Sequence, residues 1–351
     1  MPISAVDTIS LAFEHTKRQL FQPFRFGQWT RLAFVGLLAG ELGGGNFNLN
    51  SGRGGGAHPL GLPKIDPAIL AGLIGTIVVT GLVLFIVFLY ISSVMRFILF
   101  DSVLKKECHI REGWGRRQGI AWPYFLWQIG FTLVTFVVAV ILFGIPALLA
   151  YTAGWFSHAK QHIVGLVVGG IIVVCLFFVF CIVIAVVHVL TKDFVVPQMA
   201  LEGIGPIEAW RRLLPTLESE KGGYAAYIGM KIVLAIGATI LVTIATVILV
   251  VLVAIPVIGV VAAAVVAGKT TGLTWNVFTI TAAVVAGCIL LAIFLYLVAM
   301  ISVPVIIFFP AYSIYFFAAR YRALSLALYP VPPSAVPSPL PPDLPPAPSP
   351  A

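Results

Sequence analysis

The chain has 351 residues, 60% of them hydrophobic and only 10% charged, with a mean hydropathy of +1.07. A soluble domain carries about 25% charged residues, so this composition excludes an ordinary water-soluble fold and makes the bilayer the solvent for most of the surface. The formal net charge is +8, and the basic residues sit beside apolar runs, which favours anionic lipid headgroups at the cytoplasmic face as partners and argues against nucleic acid.

Residues 1–31 carry Asp7 and Glu14 near the start and no apolar core ahead of a cleavage site, so they are not a signal peptide. Ile9, Ala12, Phe13, Leu20 and Phe21 alternate with Glu14, Lys17 and Arg18, as in an amphipathic helix lying on a membrane surface. Leu32–Leu42 is apolar but short, with Glu41 near its end; it either crosses as a first span or re-enters. Residues 43–63 read as a Gly- and Asn-rich loop.

Five further spans follow, over about 68–100, 122–153, 163–190, 224–267 and 275–319. The fourth span of the resulting six is expected to end near Leu190 or to continue as helix toward Pro197. The polar stretch Thr191 to Arg212 then joins it to the fifth as a cytoplasmic linker. Pro304 and Pro310 are expected to break the sixth. With both termini inside, only Arg53, Lys64, Lys160 and Lys269 of the 21 basic residues fall outside, which satisfies the positive-inside rule and supports an even number of crossings. The tail 330–351 holds eleven prolines in 22 residues and is expected to be extended or disordered, with a possible protein partner at its PxxP-like spacings.

A repeat runs through the polar ends. Placing Arg96 over Lys192 aligns Glu112 with Glu208, Trp114 with Trp210 and Arg116 with Arg212 without a gap. This reads as three repeated hairpins, each starting inside. Pro206–Leu214 forms a short interfacial helix with Ile207, Trp210 and Leu214 on one face, leaving Arg211 and Arg212 free to reach phosphates. Arg96 and Asp101 end one span, and Lys192 and Asp193 end another. If the hairpins face each other, Arg96 pairs with Asp193 and Lys192 with Asp101; otherwise all four reach the headgroups.

Sites for chemistry are scarce. Gly268-Lys269-Thr270 lacks the glycine that a phosphate loop needs at position 263, where Ala263 stands. Cys108, Cys175, Cys181 and Cys288 have neither disulfide nor ligand spacing. His58, His158 and His162 have no carboxylate or thiol at ligand distance in sequence, so no metal or cofactor is expected. The central thirds of spans two to six carry no Asp, Glu, Lys or Arg, which lowers the case for an ion-coupled transporter.

The segment Phe194-Val195-Val196-Pro197 through Glu208-Ala209-Trp210-Arg211-Arg212, following a fourth span, resembles a group of bacterial six-helix membrane proteins of unknown role. These are similar to the membrane domain attached to some glycerophosphoryl diester phosphodiesterases. The resemblance spans most of residues 1–325 and implies the bundle without the enzyme, whose catalytic barrel needs roughly 250 residues. The expectation is therefore an all-α polytopic bundle of about six spans. An amphipathic segment (1–31) precedes a transmembrane domain (32–325), and a proline-rich tail (330–351) follows. The protein is expected to serve as a non-enzymatic structural or accessory membrane scaffold, the alternative being a permease or exporter of a small or lipid-like molecule.

Overall fold

The computed structural model describes residues 4–41, 67–155, 163–270 and 277–329, and the described part is built of helices. Two short helices come first, α1 (Asp7–Phe21) and α2 (Phe26–Leu38). The long α3 (Pro67–Lys105) and α4 (Ile110–Ala139) follow, and α4 runs through one π turn, Val140–Gly144, into α5 (Ile145–Thr152). Likewise α6 (Ile163–Leu190) continues through a π turn, Thr191–Val195, into α7 (Val196–Glu202). The chain ends with α8 (Pro206–Ser219), α9 (Lys221–Thr270), α10 (Val277–Ala318) and α11 (Arg322–Leu328). The proline-rich tail and the Gly-rich loop lie outside the described residues.

Five stretches are long and apolar enough to cross a membrane: Gly72–Lys105, Ile110–Thr152, Ile163–Glu202, Lys221–Ala263 and Thr279–Ala318. The expected first span is not among them. At 1.5 Å per residue the 13 residues of α2 reach about 20 Å, short of a hydrocarbon core of about 30 Å. Instead α2 buries Leu32, Ala33, Val35 and Gly36 against α3 and α10. Gly36 is required there, because a Cβ would lie 2.5 Å from Ile306.

The buried side chains among the described residues gather at one end of the bundle, where α3, α6 and α10 finish and α4 and α9 begin. Phe194 is fully buried there, with ring centroids of Phe317, Tyr224 and Tyr227 at 5.1, 5.2 and 5.2 Å. Tyr227 in turn stacks on Tyr312 at 5.1 Å. The opposite halves of the long helices turn Val, Ile, Leu and Phe outward, as residues facing lipid do.

Three expectations are corrected here. The helix continues past Leu190, as the second of the two expectations for the fourth span has it, but Thr191–Ala200 is not an exposed linker: apart from half-buried Lys192 it is buried throughout, so the true connection is Gly203–Gly205, with Gly203 left-handed at φ 69°. The chain after α3 turns at 106–109, and Glu112 and Trp114 already stand on α4. α10 runs unbroken through Pro304 and Pro310, as apolar helices can where neighbours hold the backbone.

Candidate functional site: a charged core at the helix ends

The packed end is held by side chains that answer the orphan carbonyls of helix C-termini. The last four carbonyls of a helix have no intrahelical partner. At the end of α3, His15 Nε2 meets Val103 O at 3.0 Å and Gln19 donates to Ser102 O at 2.9 Å. Arg96 donates through Nη2 to Ala39 O just past α2, at 3.2 Å. Arg117 donates to Ala200 O in α7 at 2.6 Å, and Arg320 to Phe316 O in α10 at 3.0 Å. A cation at a helix C-terminus also opposes the macrodipole favourably.

This explains α1. Its polar residues Thr8, His15, Thr16 and Gln19 are buried against α3 and α10, and Phe13 and Phe21 point outward. The amphipathic pattern puts Ala12 and Leu20 on the membrane side together with these phenylalanines. Both are instead buried in the protein, because the carbonyls at the end of α3 draw the polar face inward.

Within this frame lies a buried ionic cluster. Glu41, three residues past α2, accepts from Lys192 of the π turn. Asp193, the next residue, accepts from Lys231 and, at 2.9 Å, from Tyr227 Oη. Arg96 donates to Tyr124 Oη. A separate pair holds Asp101 between Arg117, at 2.5 Å, and Arg116, at 3.5 Å. Burial alone would raise the Glu41 carboxyl, but the charges of Lys192, Arg96 and Lys231 outweigh it and hold it below the ordinary carboxylate value. A buried charge without a partner is costly, and each of these carboxylates has a cation in contact.

The structure thus gathers Arg96, Asp101, Lys192 and Asp193 at one end, but not in the expected pairs. Among the described residues neither Arg96–Asp193 nor Lys192–Asp101 forms an ion pair; the partners are Tyr124, Lys231, Glu41 and Arg117. The π turn is the reason, since it carries Lys192 and Asp193 into the core toward α2 and α9. Glu112 reaches Arg116 at 4.0 Å, and Glu208 reaches Arg212 at 3.0 Å and Arg211 at 3.6 Å. Trp114 packs edge-on to Tyr90, and Trp210 stacks on Trp127 at 6.5 Å. Arg212 also meets Glu202, which accepts from Tyr321. α8 begins at Pro206 as expected and turns Ile207, Arg211 and Leu214 outward, but Trp210 does not share that face and Arg212 is not free, being held by Glu202 and Glu208.

Sequence reasoning missed Glu41, Tyr124, Tyr227 and Lys231 as members. A lone acid closing an apolar run was the available signal, because an acid there needs a buried cation. Among the described residues no three His, Cys, Asp or Glu side chains come together as a metal site would need.

A model of a family of unknown function (DUF7544) matches residues 3–327, the whole helical unit short of the proline-rich tail. No curated protein and no solved structure matches the chain.

Proposed function

The chain belongs to this family of unknown function, DUF7544, and we propose that it is a structural or accessory scaffold of a bacterial inner membrane. In this reading it has no catalytic activity, both termini are cytoplasmic, and its charged core sits at the cytoplasmic face with anionic headgroups around α8. The observation that carries the reading is the division of the molecule. One end is packed through aromatic rings and ion pairs, and the most apolar stretches of four of the five long helices bury none of their described residues. Such helices offer their flanks to lipid or to the spans of another protein. The likeness to the membrane domain of some glycerophosphoryl diester phosphodiesterases supports the same role. The matching Glu112–Arg116 and Glu208–Arg212 pairs, each spaced i,i+4, support the hairpin repeat.

Photocrosslinkers at outward positions of α6, such as Ile172 and Phe178, test the scaffold in native membranes. Protein adducts of discrete mass are expected, and adducts with lipid alone would overturn it. Single cysteines in 106–109 and 203–205 of a cysteine-free variant should resist impermeant thiol reagents in intact cells. Labelling there would reverse the orientation.

A second reading, a permease for a lipid-like molecule, draws on an apolar cavity of about 830 Å3 between α5 and α6 lined by Phe143, Ala147, Trp155, Gly165, Gly169 and Val173. Gly165→Trp would fill the space beside Trp155, whose ring already lies 3.4 Å from a Cβ built at that position. Loss of lipid flux in proteoliposomes on that change, with the fold intact, would favour the permease.

A further inference from the structure

The buried cluster does not balance. Arg96, Lys192 and Lys231 bring three positive charges, and Glu41 and Asp193 two negative ones, with His188 counted neutral and the Asp101–Arg117 pair cancelling by itself. The five side chains range from 3% to 21% exposed, so water screens the excess poorly. Arg96 carries a second irregularity. Its Nη atoms are bonded to Tyr124 and Ala39, but its Nε is buried without an acceptor. Buried donors are almost always satisfied, so this one asks for a cause.

A cavity of about 30 Å3 has Arg96 in its wall together with Glu41, Lys192 and Asp193, with Pro310 and Ser313 of α10 closing one side; Nε lies behind that wall, within reach of a small rotation of the side chain. A site needs about 10–15 Å3 measured this way to hold one water, so there is room for a water or a halide and for little more. Three events can relieve the cluster. Lys231 can give up its proton, which removes the excess charge and leaves the Nε donor unanswered. A water can enter, which answers the donor and leaves the charge. A small anion does both.

We propose that this cavity binds one small inorganic anion of chloride size, held by the Arg96 guanidinium, whose Nε turns toward it, and by the excess positive charge of the cluster. The two carboxylates in the wall do not oppose it strongly, because each is already in contact with a lysine. The anion would tie the end of α2 to α3 and to the π turn of α6, so its effect is on the cohesion of the packed end. The inference is independent of whether the protein is a scaffold or a permease.

The test is thermal unfolding of the full chain in detergent after exhaustive exchange into sodium gluconate, with sodium chloride then added at constant ionic strength. The wild-type midpoint should rise and saturate. Lys231→Met brings the cluster to neutrality and should abolish the chloride-dependent rise, and Lys231→Arg should keep it. Asp193→Asn adds to the excess and should shift the rise to lower chloride. A wild-type midpoint equal in the two salts would show that the cavity holds only water, and the proposal would fail. A rise undiminished in Lys231→Met would place the chloride elsewhere and overturn the proposal equally. If the variants do not fold, chloride-35 NMR on the wild-type protein decides: line broadening reversed by bromide is expected, and unbroadened lines would sink the idea.

Discussion

The packed end and the far halves of the same helices are built by opposite rules. At the packed end, between Ser92 and Val103 of α3, every residue is buried, including Arg96 and Asp101. From Leu73 to Phe85 of the same helix every residue is exposed and apolar or small. One helix thus serves two solvents. In its lipid half it needs no partner side chains, because its backbone is satisfied internally and its side chains match the hydrocarbon. In its other half the ends of neighbouring helices bring unpaired carbonyls and charges, and only a mutually satisfied network is stable there. The stability of the fold should therefore reside at one end, and substitutions of the same chemical size should have very different effects at the two.

The largest contrast is expected between two phenylalanines. Phe194→Ala empties a site ringed by Phe317, Tyr224, Tyr227 and Phe316 and should cost about 3–5 kcal/mol. Phe178→Ala, 63% exposed on α6, should cost less than about 0.5 kcal/mol. Reversible unfolding in mixed micelles measures both. Comparable losses would mean that the far halves pack against something stable in detergent, and the two-solvent account would fall.

Next in size is the Asp101 pair. Asp101→Asn leaves Arg117 without its carboxylate, with side chains 12% and 8% exposed for the arginine and the aspartate. A fully buried broken pair costs about 3–5 kcal/mol, and partial access of water lowers the expectation to about 2–3 kcal/mol. Asp101 fixes the Arg117 guanidinium that donates to Ala200 O, so without the carboxylate that bond should weaken, α7 should loosen, and amide exchange over Val196–Glu202 should quicken. Unchanged exchange there would detach α7 from this pair.

A smaller contrast concerns glycines. Gly36→Ala must displace Ile306, fully packed in α10, and should cost about 1–2 kcal/mol. Gly75→Ala in the lipid half of α3 meets nothing within 4 Å and should be neutral or stabilise by about 0.5 kcal/mol, as alanine does in a helix. Equal penalties would contradict the close approach of α2 and α10.

Much of the lipid half was legible, because a helical run of about twenty apolar residues matches the thickness of a bilayer and little else. The start of α8 at Pro206 and the outward Ile207 and Leu214 were legible for a similar reason, as local pattern decides them, but Trp210, expected on their face, is half-buried against Trp127, and Arg212, expected to reach phosphates, is paired with Glu202 and Glu208. The packed end was not. Thr191-Lys192-Asp193 looks like a solvent-facing linker when only its neighbours are considered. Its burial depends on Glu41, 151 residues away, and on Lys231 in another helix. The Arg96–Asp193 and Lys192–Asp101 pairs failed because they matched residues by position in a repeat, whereas the π turn changes which way Lys192 and Asp193 point. That Leu32–Leu42 is short was legible from the chain; that the helix there starts at Phe26 and packs against α3 and α10 depended on Gly36 meeting Ile306.

The smallest expected effect is a pH dependence confined to α1. His15 is 4% exposed, with Nε2 at 3.0 Å from Val103 O and Nδ1 at 3.1 Å from Tyr315 Oη. The carbonyl can only accept, so Nε2 carries the proton and Nδ1 accepts from the tyrosine; the neutral ring satisfies both contacts. Burial, and then the nearby charge of Lys106, push the His15 pKa below its ordinary value, against the smaller opposing effects of the bonds to Val103 and Gln19. An imidazole whose folded pKa is lowered adds stability that is fully present above the unfolded value of about 6.5 and is lost as pH falls from there through the folded value. The docking of α1 should therefore loosen on acidification below about pH 6.5, well before the carboxylates titrate. Amide exchange over Asp7–Phe21, corrected for the intrinsic rate at each pH, should quicken in that window and stay level over α9. His15→Gln keeps a donor for Val103 O and removes the titration, so its exchange should be flat with pH. If the wild-type protein is equally flat, the neutral imidazole is not what holds α1 to the end of α3, and Gln19 with its bond to Ser102 O becomes the main tie.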